Sequence, residues 1–243
     1  APIVVPVDAK GRLTEEAGEF AGLTTEEANK PIAEHLEKTG NLFALQKIIH
    51  QYPHCWRCHK PVIFRATSQW FCSVDDFKED AVKASESVKW FPEWGKDRLQ
   101  SMVRERADWC ISRQRKWGVP IPVLYCKHCG KEIIDNDVMM KVSEIFGKEG
   151  SDAWYAHDAE YFLPEGFKCP HCGKAEGFDK ESDIMDVWFD SGSTHQAVLA
   201  KRPYLGRPAD VYLEGADQYR GWFQSSLLTS VAQGLGAPFK QII

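Results

Sequence analysis

The chain has 243 residues, 43% hydrophobic and 12% aromatic, with 30 Lys and Arg against 35 Asp and Glu for a formal net charge of −5. That apolar content excludes a disordered chain and suffices for one large or two modest domains, while the acidic balance excludes nonspecific nucleic-acid binding over the whole surface but not a local basic patch. No run approaches the roughly twenty apolar residues of a membrane span and no charged segment leads into an apolar core at the N-terminus, so the expectation is a cytosolic chain with no membrane partner.

The chain lacks an initiator Met, opens on an apolar run (Ile3 to Val7) and stops at Gln241-Ile242-Ile243 inside an expected strand, which reads as an excised piece of something larger. After the opening strand comes an acidic loop (Thr14, Glu15, Glu16), then a helix. Thr24 or Thr25 supplies its cap, Glu26 and Glu27 its first turn, Ile32 and Leu36 its apolar stripe and Gly40 its stop. Cys55 and Cys58 then form a Cys-x-x-Cys pair flanked by His54 and His59; it offers half a tetrahedral metal site, with buried free thiols as the blander reading.

Val62–Thr67 and Gln69–Val74 read as strands, Asp76–Val88 as a helix capped by Asp75, and Asp97–Arg106 as a second helix. Trp90, Trp94 and Trp109 are expected to fill core or junction space. The basic cluster Arg113, Arg115, Lys116 with Trp117 is either a solvated face or a nucleic-acid contact, in which guanidinium groups meet phosphate and the indole stacks on a base.

The strongest metal signal is a pair of near copies, Cys126-Lys-His-Cys129-Gly130 and Cys169-Pro-His-Cys172-Gly173. Each is a tight turn aiming two thiolates at one point, with a glycine where the backbone must reverse, so the two together build a closed four-sulfur shell for a structural zinc with His128 and His171 facing outward. A redox role would need a strand-helix setting and would not come duplicated. Between them, Met139–Phe146 has helical character, and Trp154 and Tyr155 with the acids around Asp158 and Glu160 are expected to cap the knuckle.

Ile184–Phe189 is expected to return to the sheet, and Asp190-Ser191-Gly192-Ser193 to permit close backbone approach. Val211-Tyr212-Leu213 then leads through Glu214-Gly215 into a loop carrying Asp217, Gln218, Arg220 and Trp222, and Trp222, Phe223, Leu227 and Leu228 recur at helical spacing. In an open α/β sheet, ligands bind beyond the carboxyl end of such a strand. The alternative is a capped helix with a charged rim, Asp217 being the cap.

These residues carry a resemblance. Leu-Glu-Gly-Ala-Asp-Gln-Tyr-Arg-Gly-Trp-Phe-Gln-Ser-Ser-Leu-Leu (213–228), Asp-Val-Trp-Phe-Asp-Ser-Gly-Ser-Thr-His (186–195), Arg-Ala-Asp-Trp-Cys-Ile-Ser-Arg-Gln-Arg-Lys-Trp-Gly-Val-Pro-Ile-Pro (106–122), Tyr-Pro-His-Cys-Trp-Arg-Cys and Phe-Arg-Ala-Thr resemble segments of bacterial isoleucyl-tRNA synthetases, of class I. The resemblance implies an α/β fold, a partial Rossmann-like parallel sheet with an inserted small zinc-knuckle subdomain. It divides the chain into the tail of an editing insertion (1–46), catalytic-domain strands and helices (47–122), the knuckle insertion (123–180) and a second nucleotide-fold segment (181–243). Asp186–His195 would be an active-site strand. The implied reaction is attack of the isoleucine carboxylate on the α-phosphate of ATP and acyl transfer to tRNA(Ile), catalysed by positioning and charge stabilisation.

By the same resemblance Trp188 and Trp222 bracket the isoleucine side chain, Asp217 and Gln218 hold its ammonium or fix the loop, Glu214 and Gly215 bind the adenylate, and Arg113, Arg115, Lys116 and Trp117 meet the tRNA acceptor strand. Zinc is structural; ATP and Mg are substrate and ion of a full-length monomer. Tyr219 stands where His is more usual. The His-x-Gly-His and Lys-Met-Ser-Lys-Ser type ATP signatures are absent from these 243 residues, so the isolated chain is expected to be inactive. A zinc-knuckle RNA-binding module and a non-catalytic scaffold derived from a synthetase are the rival readings.

Overall fold

The signals for a helix start are met in full at Thr24. Its hydroxyl accepts the Glu27 amide at 3.2 Å while the Glu27 carboxylate accepts the Thr24 amide at 2.8 Å, a reciprocal cap that starts α1 (Thr25–Lys38). A computed structural model describes residues 4–243, and the chain forms two units, Ala1–Ser68 and Gln69–Ile243. In the first, α1 buries only Ala28, and Gly40 stops it at φ +71°. The strand expected from Ile3 begins outside the described residues; Val7 makes one antiparallel bridge, to Leu13. No strand forms over 62–67: the bridge between Pro61 and His54, with the Val62 amide donating to Pro53 O at 3.1 Å, is not continued into a ladder.

The second unit has two cores. One lies among α2 (Lys78–Ser85), α3 (Trp94–Arg104) and α7 (Trp222–Ala232), with Leu99, Trp90, Trp109, Phe223 and Leu227 buried at its centre. Against it runs a short parallel ladder, β2 (Lys89–Trp90) beside β9 (Gln241–Ile242), which Ala209 and Tyr212 extend by parallel bridges to Phe239 and Ile242. The remaining pairs here are antiparallel: β1 (Phe71–Cys72) with β3 (Trp109–Cys110), and β4 (Ser112–Arg113) with β8 (Ile184–Met185). The described strands thus form small sheets of two or three members.

Several expectations need correction. The helix expected over 76–88 is shorter: it ends at Ser85 and a turn over 86–88 leads into β2 at Lys89, while Asp75 pairs with Lys78 instead of capping it. The next helix starts at Trp94, ahead of Asp97, and leaves Trp94 half exposed with Arg98 over its ring at 5.9 Å. Asp186–His195 is no strand: Asp186 accepts the Trp188 amide and starts α6 (Val187–Gly192), followed by a single wide turn over His195–Leu199. Helix wins there because Gly192 lets α6 lie on α7; a Cβ at Gly192 would come within 2.9 Å of the Ser225 backbone. The close approach read from this segment is therefore between two helices.

The other core is a lobe inserted between 123 and 180. Its sheet is β5 (Leu124–Cys126) flanked by β6 (Glu132–Ile133) and β7 (Phe178–Lys180), covered by α4 (Asn136–Glu149) and α5 (Ala153–Ala156). Asp135 caps α4 by accepting the Asp137 and Val138 amides at 3.0 and 3.1 Å. Trp154 and Phe162 fill its centre with ring centroids 4.7 Å apart. A lobe this small buries too little surface to be stable alone without a cross-link or metal.

Candidate functional site

Loop 214–221 reaches α7 through a single 3-10 turn (Ala216–Arg220). Gln218, and not Asp217, caps α7: its Oε1 accepts the Trp222 amide at 2.9 Å, and its Nε2 donates to Asp217 at 2.9 Å. Both side chains are thereby committed to fixing the loop. Gly221 is where the loop must stay bare, since a Cβ would meet Gln218 Oε1 at 2.5 Å and the Trp188 ring at 3.2 Å. Trp188 from α6 thus lies over the Gly221 backbone, and the two indole-bearing segments share one neighbourhood.

The two indoles differ in what they offer. Trp188 is 42% exposed and borders a cavity of about 370 Å³. Trp222 does not line that cavity; one of its faces is stacked on Tyr212 at 3.9 Å and 8°, and its Nε1 donates to Ser191 O at 3.0 Å. Glu214, Gly215 and Asp217 are exposed. Tyr219 is buried against Trp90, Trp94 and Phe223, so the position at which the resemblance implies a His lies inside the core.

Of the cavity-lining residues, Trp188 was expected at a pocket from the sequence and Arg113 only as a nucleic-acid contact, while Arg106, Asp186 and Gln224 were missed and Arg220 had no role. Asp186 is 3% exposed yet ionisable, and it is compensated by Arg113 Nη2 at 3.2 Å and by Trp109 Nε1 at 2.9 Å. Arg106 donates to Gln224 while its Nε stays buried without a partner, and burial lowers its pKa. Asp190 on α6 is pushed up to about 6 by burial and then by the nearby Asp186 charge. A patterned signal existed for Gln224: it sits at a core-facing position of α7, where a buried amide demands a partner.

The basic cluster divides. Arg113 is spent internally, on Asp186 and on the carbonyls of Cys110 and Ser112 at 2.9 and 2.7 Å. Arg115 and Lys116 are exposed, and Trp117 is 92% exposed.

In the lobe, Cys126, Cys129, Cys169 and Cys172 place their sulfurs within 4.8 Å of one another. Cys126 and Cys172 are 3.6 Å apart and Cys129 and Cys169 are 3.8 Å apart. Four thiolates about 2.3 Å from a tetrahedral zinc would stand about 3.8 Å from each other, so the donor set fits such an ion. Burial pushes the Cys126 thiol up, but the Cys129 and His128 amides bring it down to about 7. For Cys172 the Lys174 amide is outweighed by burial and the three neighbouring sulfurs, which push it up to about 12. One thiol ionises readily and another resists, the behaviour of a crowded set that needs a cation to ionise together. His128 and His171 are exposed and outside the cluster.

All three Cys-x-x-Cys turns have one build. The Cys126 amide donates to Lys131 O, Cys169 to Lys174 O and Cys55 to Lys60 O; Gly130, Gly173 and His59 donate back to the first cysteine of each. Gly130 and Gly173 sit at φ +68° and +74°, and His59 holds the same left-handed conformation at +56°. Among the described residues, Cys55 and Cys58 have no third ligand beside them.

A family model of the class I tRNA synthetases (I, L, M and V) matches residues 13–243. The chain belongs to this family. Among curated synthetases, it is 60% identical over 242 residues to the isoleucine-tRNA ligase of Caldicellulosiruptor saccharolyticus and 56% identical over 242 residues to that of Moorella thermoacetica, covering 100% of this chain in each case. The chain spans 26% of the length of either synthetase. No helix among the described residues is long and apolar enough to cross a membrane.

Proposed function

We propose that this chain is a section of an isoleucine-tRNA ligase, which in its full length activates isoleucine with ATP and transfers it to tRNA(Ile). What supports the choice of amino acid is identity of 54–60% to eight isoleucine enzymes over nearly the whole chain. The parallel segments around β9 are then the visible part of a Rossmann-like sheet, with loop 214–222 at its carboxyl edge. Glu214 and Gly215 face the adenylate from that edge, and the exposed face of Trp188 offers a flat apolar wall to a branched aliphatic side chain. Trp222 stands outside the cavity that Trp188 borders, so bracketing of the side chain by both indoles would need its unstacked face to meet the substrate beyond that wall. The hydrogen bonds of Asp217 and Gln218 favour a loop-fixing role over capture of the ammonium group. Contact with the tRNA acceptor strand falls to Arg115, Lys116 and Trp117, because Arg113 is occupied.

Cys126, Cys129, Cys169 and Cys172 would hold a structural zinc, which when bound supplies cross-linking of the lobe and no chemistry. ATP and Mg belong to the full-length enzyme, a cytoplasmic monomer in this reading. The RNA-binding-module alternative is the weaker one: residues 123–180 carry eleven Asp and Glu against seven Lys and Arg, the wrong sign for phosphate. The test is isoleucine-dependent ATP-pyrophosphate exchange. The full-length protein is expected to show it and the isolated chain to show none; exchange with leucine or valine in preference to isoleucine would overturn the reading.

A further inference from the structure

Where the chain leaves β7, one half-buried carboxylate gathers an unusual number of donors. Glu181 Oε2 accepts the Tyr125 phenol at 2.6 Å and the Trp70 indole at 2.7 Å, and Oε1 accepts the Ser182 and Asp183 amides at 2.6 and 2.9 Å. Its backbone is engaged too. The carbonyl accepts Trp154 Nε1 at 2.9 Å, and the amide donates to Val123 O at 2.9 Å. Burial raises the pKa of the carboxylate, but the bonds from Tyr125, the Asp183 amide, Trp70 and the Ser182 amide together hold it below the ordinary range. Burial first, and then the Glu181 bond, push Tyr125 up to about 12.

The partners come from opposite sides of a boundary. Tyr125 and Trp154 belong to the thiolate lobe, Trp70 to the body. From Trp70 the bonding continues: its amide donates to Ser112 Oγ at 2.8 Å, its carbonyl accepts Ile111 N at 2.9 Å, and Ile111 O accepts Asp186 N at 2.8 Å. Asp186 carries the ion pair with Arg113 on the cavity wall. A second route follows the chain itself, from Glu181 through β8 to Trp188.

We propose that Glu181 is a positioning residue that locks the four-thiolate lobe onto the β4–β8 strand pair, which carries Arg113 and leads into Asp186, so that the folded state of the lobe is felt at the cavity. No ligand need touch it. The carboxylate is suited to this because its two oxygens can serve donors from both sides at once, and charge-assisted bonds are about twice as strong as neutral ones. The chelation arm of the test below rests on metal binding by the four cysteines, and the activity arm on the enzymatic function proposed above.

The decisive measurement is hydrogen-deuterium exchange of the full-length protein with its metal bound and after chelation. In the parent protein, chelation is expected to raise exchange over 124–178 and also over 109–113 and 184–188. In E181A the latter two segments should exchange faster with the metal still bound, and chelation should add nothing there. E181Q, which keeps one carbonyl acceptor, should restore part of the protection, and Y125F or W70F, each removing one donor, should loosen the same segments if E181A fails to fold. E181A should also lower kcat/KM for isoleucine-dependent exchange about tenfold. Unchanged protection of 109–113 and 184–188 in E181A, an undiminished response of those segments to chelation, or loss of the metal in E181A would overturn the proposal. Coupled exchange in a protein without isoleucine-dependent activity would overturn the proposed function and leave this one standing.

Discussion

The thiolate cluster draws all its ligands from two short turns of identical build, whereas the cavity is walled by three segments, 106–113, 186–188 and 220–225, that only the folded chain brings together. The turns close by their own backbone hydrogen bonds, so each knuckle is nearly complete before it meets the other. The cavity has no such local stage. Its wall depends on a bare Gly221, an ion pair between buried Asp186 and half-exposed Arg113, and the seating of α6 on α7 through Gly192. A repeated local motif thus makes a site that one ion can cross-link, while a site assembled over long range depends on the body around it. The lone turn at Cys55 shows the other side of this: the same backbone without a facing copy offers two thiolates and no closed shell.

The sharpest way to break the contrast is Cys126→Ser. Loss of one thiolate is expected to abolish metal retention and unfold 124–178, since structural zinc contributes on the order of 10 kcal/mol to small domains. Elemental analysis and the melting of Trp154 fluorescence would report it. Cys55→Ser should leave the metal content of this chain unchanged; a fall would show that the lone turn is not alone. Next in size, Gly221→Ala should cut kcat/KM for isoleucine-dependent exchange at least tenfold, about 1.4 kcal/mol, by displacing Gln218 and Trp188, with metal content unaltered.

A smaller, pH-dependent effect tests α6, the helix that carries Trp188 to the cavity wall. Asp190 has its pKa raised from 3.8 to about 6, so the folded state holds that proton more tightly than the unfolded one. Stability contributed by the protonated carboxyl is therefore lost as pH rises from about 4 to about 6 and is flat above. Asp190→Asn should flatten this slope and raise stability at pH 7 by about 1 kcal/mol, after allowance for partial exposure, as followed by denaturant melts at several pH values. Smallest is a pair of opposite substitutions. Gly130→Ala should cost about 1 kcal/mol because it forces a side chain into the left-handed region, and His59→Gly should relieve a strain of similar size at the lone turn.

Legibility followed the same division. The four zinc-type ligands and the α1 cap could be read from spacing because a few consecutive residues build each. Loop 214–222 was recognisable as a concentration of unlike groups, but its internal assignments were not: Asp217 looked like the helix cap, and Gln218 takes that place because a 3-10 turn brings its amide back over Trp222. The resemblance implied a strand over Asp186–His195, and contact with α7 made it helical. Arg106 and Gln224 were invisible as partners, being separated by more than a hundred residues.

By itself the order of amino acids determined the three cysteine turns, the apolar stretches that become two cores, and membership in its family, because backbone turn chemistry and side-chain hydrophobicity act over a few positions at a time. Which indole keeps an open face, which arginine is used up inside the fold and which carboxylate joins lobe to body were decided only in three dimensions. A buried charge or donor takes whichever partner the packing delivers, and that partner can come from anywhere in the chain.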